Sequence, residues 1–302
     1  MKKIIIDTDP GVDDSLALLL AISSNLNIIG ITTIYGNSTI KNTTKNTLSV
    51  LQILNSNIPV YQGSSKPLFK KPILPPSHGK NGLVEFSLKN LQRKKENITA
   101  IQFLINSLEK NKDKEIDILC LGPTTNLALL KIKRPDLIKK INQIIILGGV
   151  FFEEGNIASK AEFNVFSDPE ALDLILSFEC QKTLIPINVC QKVIFTLKDF
   201  NKINNPKIAS NFKIISNKYI NYYQNDPIYG KFKGGIMYDL LVICFLINKE
   251  IFKTQNKYIT VNSKGQTKIK NKKQPNCCLV TSANPKKIKN TFFNNINSKL
   301  SI

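Results

Sequence analysis

The chain has 302 residues, 42% of them hydrophobic, which supports a substantial core in one large α/β domain or two small ones. No run approaches the ~18 apolar residues of a membrane span, and Met1-Lys2-Lys3 leads into a short strand rather than a signal peptide, so a cytoplasmic protein with no membrane partner is expected. The formal net charge of +20 does not point to a nucleic-acid protein: only Arg93 and Arg134 are arginine, the lysines are dispersed without interleaved aromatics, tryptophan is absent, and abundant Lys, Asn and Ile look like AT-rich codon bias.

Lys3 to Asp14 is the first informative stretch. Ile4-Ile5-Ile6 suits a buried strand. Pro10-Gly11 ends it, and Asp13 and Asp14 fall in the first turn of a helix whose apolar face carries Leu16, Leu19 and Leu20. Asp7, Asp9, Asp13 and Asp14 therefore cluster at the carboxyl end of a strand, where open α/β sheets bind ligands. So many carboxylates repel one another unless a hard cation takes their oxygens. Two other strand or loop motifs fit less well. A haloacid-dehalogenase phosphatase wants Thr or Val where Gly11 stands, and an EF-hand loop wants Asp or Asn there and a preceding helix.

Strand and helix patterns then alternate, as in a parallel sheet with crossover helices. Ile28 to Ile34 reads as a second strand ending at Tyr35-Gly36-Asn37, Thr39 to Leu54 as a helix, and Pro59 to Tyr61 as a short third strand. Residues 63–97 are rich in Pro, Gly, Lys and Ser, hold the only histidine, His78, and form a candidate active-site flap. Ile98 to Glu109 reads as a helix, Ile116 to Leu121 as a strand stopped by Gly122-Pro123, and Gln143 to Leu147 as a strand ending at Gly148-Gly149.

In the second half, Thr183 to Ile187 reads as a strand and residues 198–235 as helix with breaks. Met237-Tyr238-Asp239 introduces an apolar helix from Leu240 to Leu246, and residues 255–284 suggest a small antiparallel set of strands. The six cysteines contain no C-x-x-C and read as buried free thiols. No repeat or linker divides the chain, so a single domain over residues 1–302 is expected. Asp168 before Pro169 reads as a helix cap.

The ordered motifs Asp7-Thr8-Asp9-Pro10-Gly11-x-Asp13-Asp14, Thr32-Thr33-x-x-Gly36-Asn37, Gly122-Pro123-x-Thr125-Asn126, Gly148-Gly149, Glu154-Gly155-Asn156, Ala161-Glu162-Phe163-Asn164 and Asp168-Pro169-Glu170-Ala171 resemble the inosine-uridine preferring nucleoside hydrolases. The likeness runs from residue 3 to about residue 250 and is nearest to the bacterial broad-range ribonucleoside hydrolases. It implies a central, mostly parallel sheet flanked by helices (the Rossmann-like nucleoside hydrolase fold), with the active site at the carboxyl ends of the strands. It implies hydrolysis of the N-glycosidic bond of purine or pyrimidine ribonucleosides to ribose and free base, and a homodimer or homotetramer. It further implies Ca2+ held by Asp9, Asp14, the Leu121 carbonyl and Asp239, with Asp9 as the base for the calcium-activated water. Asp13, Asn37, Asn156, Glu162 and Asn164 would bind the ribose.

One position departs from the family pattern. Broad-range members carry a histidine before the last calcium-binding Asp, where it helps protonate the leaving base; here Tyr238 stands there. Tyr238 could stack on the base or donate through its phenol, and His78 matches a family histidine in a mobile loop. Lys80 and Asn81 also replace an acidic-Ser pair. The alternative reading is a catalytically weakened nucleoside- or ribose-binding homologue.

Overall fold

A computed structural model describes residues 2–225 and 230–299. Its centre is a nine-stranded sheet. The strands are β1 (Lys3–Thr8), β2 (Ile28–Thr33), β3 (Val60–Gln62), β4 (Ile116–Cys120), β5 (Ile141–Leu147) and β6 (Gln181–Ile185), followed by β9 (Phe252–Val261), β10 (Thr267–Lys270) and β11 (Cys277–Ala283). Their order is β10-β9-β11-β6-β5-β4-β1-β2-β3. A separate two-stranded ribbon pairs β7 (Ile194–Phe195) with β8 (Gly235–Ile236).

From β3 to β11 all neighbours run parallel; only β9 and β10 are antiparallel. The β-branched runs explain the parallel part, because its strands are covered on both faces. Ile4 and Ile6 point into one hydrophobic cluster and Ile5 into the other, the two-residue period of a central strand. The chain leaves β1 toward β2 and β3, then returns to the other side of β1 to lay down β4, β5 and β6. Between β1 and β4 the strand order reverses, and the loops at their carboxyl ends diverge to leave a crevice. Register aligns these ends, with Asp7 opposite Cys120 and Thr8 opposite Thr33.

The helices are α1 (Val12–Ser23), α2 (Ile40–Ile53), α3 (Ala100–Lys110), α4 (Thr125–Lys133), α5 (Phe163–Ser167), α6 (Pro169–Leu176), α7 (Ile187–Cys190), α8 (Pro206–Asn225), α9 (Leu240–Ile247) and α10 (Pro285–Lys299). α9 is apolar on all sides because it is buried, packed against α1 and α10. Asp168 caps α6, its Oδ1 accepting from the Ala171 amide at 3.1 Å.

The antiparallel set expected over 255–284 is present, with β9 pairing antiparallel to both β10 and β11, and it joins the central sheet because β11 lies parallel to β6 and carries β9 and β10 on its outer edge. The reason is burial: Leu279 and Val280 face opposite clusters, which demands an interior strand. Residues 63–97 hold one helical turn, Pro76–His78, among otherwise irregular backbone. All six cysteines are free thiols, five of them buried. Among the described residues no helix is long and apolar enough to cross a membrane.

Candidate active site

The acidic loop after β1 is built from the inside outward. Asp7, still in the strand, accepts from Thr32 Oγ1 at 2.6 Å and Asn126 Nδ2 at 2.7 Å, tying β1 to β2 and α4. Burial raises its pKa to about 6 against those two hydrogen bonds. It is a structural tie behind the site. Asp9 follows, with its carboxylate wedged between two glycines. A Cβ at Gly36 would lie 1.9 Å from Asp9 Oδ2, and one at Gly122 would lie 2.3 Å from Oδ1. Those glycines are therefore fixed by close approach. Asp9 Oδ2 accepts from the Asn37 amide at 2.7 Å; Oδ1 is buried without a hydrogen-bond partner.

Asp14 is the best-satisfied acid. Its Oδ1 accepts from Thr8 Oγ1 at 2.6 Å, and its Oδ2 from the Gly11 amide at 2.9 Å and Asn37 Nδ2 at 3.0 Å. The Gly11 contact also closes the first turn of α1, where the helix dipole favours a carboxylate. Asp239, just before α9, reaches the same spot from the far side. One carboxylate oxygen each from Asp13, Asp14 and Asp239 lies within 4.8 Å of the others, and all three residues are buried.

The electrostatics of this cluster are unfavourable as it stands. Burial, then repulsion from Asp14, raises Asp13 to about 8; burial, then Asp14, Asp13 and Asp9, raises Asp239 well above the usual carboxylate range. Asp9 is raised by burial and then by Asp14. Asp9 Oδ1, Asp13 Oδ1 and Asp239 Oδ1 all lack partners. Buried oxygens of one sign, preorganised and unsatisfied, fit a hard cation. The donor set is all oxygen, with no thiol or imidazole in the cluster.

Above the acids opens a cavity of about 430 Å3. Its wall includes nine of the residues expected from the sequence: Asp13, Asn37, His78, Leu121, Asn156, Glu162, Asn164, Tyr238 and Asp239. Asp9 and Asp14 lie beneath that wall, each at most 1% exposed. The amide wall is held by a local hydrogen-bond system. Asn164 Nδ2 donates to the Leu121 carbonyl at 2.7 Å, which leaves that oxygen a second lone pair. Glu162 caps α5, accepting from the Gly149, Asn164 and Val165 amides at 3.1, 2.8 and 3.1 Å, while burial raises it to about 7. Asn156 Oδ1 accepts from the Phe163 amide at 2.8 Å.

His78, Tyr222, Tyr223 and Tyr238 add rings to the lining, and Tyr222 and Tyr223 escaped sequence reasoning. His78 Nδ1 accepts from the Val12 amide at 3.2 Å, so a neutral ring carries its proton on Nε2, which lies 3.8 Å from Asp13 Oδ1. Burial lowers its pKa to about 3, which keeps it neutral. From His78 a row of rings continues through Tyr219 (centroids 5.0 Å apart), Tyr223 (4.8 Å further) and Tyr238 (6.4 Å further). Tyr223 OH donates to Tyr238 OH at 3.4 Å, and Tyr219 OH to the Ile236 carbonyl at 2.9 Å. The available signal was Tyr219 and Tyr223 spaced four apart on one helix face. Thr8, Thr32 and Asn126 stand in the sequence motifs without an assigned role, and the structure shows that they orient the acids.

Comparison with known proteins gives the same picture. The chain is 35% identical over 274 residues to Uridine nucleosidase 1 of Arabidopsis thaliana, covering 87% of this chain and 79% of that one. It is 31% identical over 266 residues to the pyrimidine-specific ribonucleoside hydrolase RihB of Escherichia coli O1:K1 / APEC, covering 86% and 83%. The solved purine-preferring ribonucleoside hydrolase from Gardnerella vaginalis superposes with a TM-score of 0.92 at 26% identity, covering 98% of each chain. The fold and its carboxylate-floored cavity define a hydrolase of N-glycosyl compounds. Residues 4–290 match the model of the inosine-uridine preferring nucleoside hydrolases, and the chain belongs to that family. Hydrolysis of ribonucleosides is the activity of the family, and the buried acidic cluster accords with its dependence on a metal.

Proposed function

We propose that residues 1–302 form one cytoplasmic nucleoside hydrolase domain that releases ribose and free base from purine or pyrimidine ribonucleosides. A homodimer or homotetramer is proposed as the working assembly, with no specific nucleic-acid partner. The observation that carries the reading is the cavity itself: unsatisfied buried carboxylate oxygens at its floor, with amides, a glutamate and aromatic rings in its lining.

Ca2+ is the proposed ion, held by Asp9, Asp14, the Leu121 carbonyl and Asp239. When bound, it supplies the positive charge that relieves the carboxylate repulsion, orients ribose hydroxyls and lowers the pKa of the attacking water. Asp9, whose basicity is raised by burial, would serve as the base for the attacking water. Asp13, on the cavity wall, binds a ribose hydroxyl. Asn37, Asn156, Glu162 and Asn164 take the other ribose oxygens with the lone pairs and protons their structural bonds leave over.

Cleavage of the glycosidic bond builds positive charge on the ribose ring, and the surrounding carboxylates stabilise it. The leaving base faces Tyr238 and His78. Tyr238 serves it by stacking or by a phenol hydrogen bond, and His78 by its Nε2 proton. The names of the relatives span uridine, pyrimidine and purine specificities, so the test needs both base classes. Purified protein with Ca2+ is expected to release ribose from at least one of inosine, uridine, cytidine and adenosine. Release from none overturns the proposal, and tight ribose binding by calorimetry without turnover would establish the weakened homologue instead.

A further inference from the structure

We infer that Asn46, on α2 and outside the cavity wall, is a positioning residue that sets His78 against the acidic loop. The inference rests on the proposed hydrolysis only for its kinetic arm.

Asn46 is 5% exposed, and its Nδ2 carries two protons aimed at two different segments. One goes to the Pro10 carbonyl at 3.0 Å, in the turn between Asp9 and α1. The other goes to the Asn81 carbonyl at 2.8 Å, in the loop that follows His78. A single side-chain nitrogen thus fixes the spacing between the two loops that meet at the site. They meet again where the Val12 amide donates to His78 Nδ1 at 3.2 Å.

The loop that Asn46 grips behaves as one piece. Asn81 Oδ1 accepts from the Leu83 and Glu85 amides at 3.0 and 2.9 Å, and its Nδ2 donates to the Phe86 carbonyl at 2.9 Å. The Val84 amide donates to the His78 carbonyl at 2.8 Å. Val84 and Glu85 hold positive φ angles of 47° and 66°, a conformation costly for residues with a Cβ and kept only where neighbours over-determine it. Ser38 Oγ adds one further tie, to the Lys80 carbonyl at 3.0 Å. Moving Asn81 therefore moves His78, and Asn46 is the buried contact between Asn81 and the rest of the fold.

The test uses Asn46→Ala and the isosteric Asn46→Asp, which keeps the shape but presents acceptors to both carbonyls. Hydrogen exchange is followed in the whole protein, and ribose release is measured alone and in a His78→Ala background. Loss of two neutral hydrogen bonds is expected to speed exchange at the Leu83, Val84 and Glu85 amides about tenfold or more, with the β1 and β4 amides unchanged. kcat/KM is expected to fall about tenfold, and most of that loss to vanish once His78 is already alanine. Unchanged exchange in residues 79–86, acceleration spread evenly over the whole protein, or losses that simply multiply with His78→Ala would each overturn the inference. If no form releases ribose, the proposed hydrolysis fails separately, and exchange still decides whether Asn46 holds the loop.

Discussion

The imidazole of His78 occupies the space a side chain at Gly11 would need. A Cβ there would lie 2.5 Å from His78 Nδ1 and 2.8 Å from Asn37 Nδ2. Gly11 itself has φ −93°, which alanine adopts readily. The glycine is required by contact and not by backbone conformation. Gly11→Ala is therefore expected to leave the fold intact while displacing His78 and Asn37 together. The predicted loss in kcat/KM is about tenfold or more, with a Tm change of no more than about 4 °C. Steady-state kinetics beside thermal denaturation will check it; full activity would mean that neither contact matters to turnover.

Removing one carboxylate from the floor should separate stability from cation binding. Asp239 carries an orphaned buried oxygen and is repelled by Asp14, Asp13 and Asp9. Asp239→Asn removes that repulsion, so the cation-free protein should gain about 1 kcal/mol, or about 2–4 °C in Tm. Calcium affinity should fall by more than about 100-fold. Thermal scans with and without Ca2+ measure both effects. A variant that binds Ca2+ as tightly as the wild type would remove Asp239 from the ligand set.

The pH dependence follows from the direction of the shifts. Asp9, Asp13 and Asp239 are raised in the fold, Asp13 to about 8 from 3.8. A raised carboxyl favours the folded state while protonated. That contribution is complete below about pH 4 and is lost as pH rises toward 8. A cation displaces the protons and reverses the loss. The gain in Tm from saturating Ca2+ should thus grow steadily between pH 5 and pH 8, and calorimetry should detect proton release on binding. A gain independent of pH would contradict the cluster as the binding site.

Tyr238→Phe isolates the phenol from the ring. The hydroxyl accepts from Tyr223 OH at 3.4 Å and lines the cavity, where a phenol can donate to a leaving base. If the phenol activates the base, the variant should lose about tenfold or more in kcat on natural nucleosides. It should lose little on 4-nitrophenyl riboside, whose leaving group needs no proton. Equal rates on natural nucleosides would assign Tyr238 to stacking alone.

The sequence carried the sheet and the acid-amide half of the site because their signals are local. Ile4 to Ile6 and the glycines after each strand mark where backbone must stop or approach closely, and Asp9 between Gly36 and Gly122 is the result. The aromatic half was less legible. Tyr219 and Tyr223 sit on a mostly polar helix whose pattern says only which face is buried, and the meeting of Tyr219 with His78 is a tertiary contact across more than 140 residues of chain. The antiparallel pairing within β9–β11 was legible because it is local, whereas its attachment to the sheet was not, since the parallel partner β6 is about 95 residues away.

The most direct test of the central claim is ribose release by the wild-type protein from uridine and inosine as calcium is removed and restored. Turnover of at least one substrate with Ca2+ is expected, with loss of turnover on chelation and recovery when Ca2+ is added back. Ribose release that continues undiminished in metal-free protein would contradict that claim, as would no release under any condition.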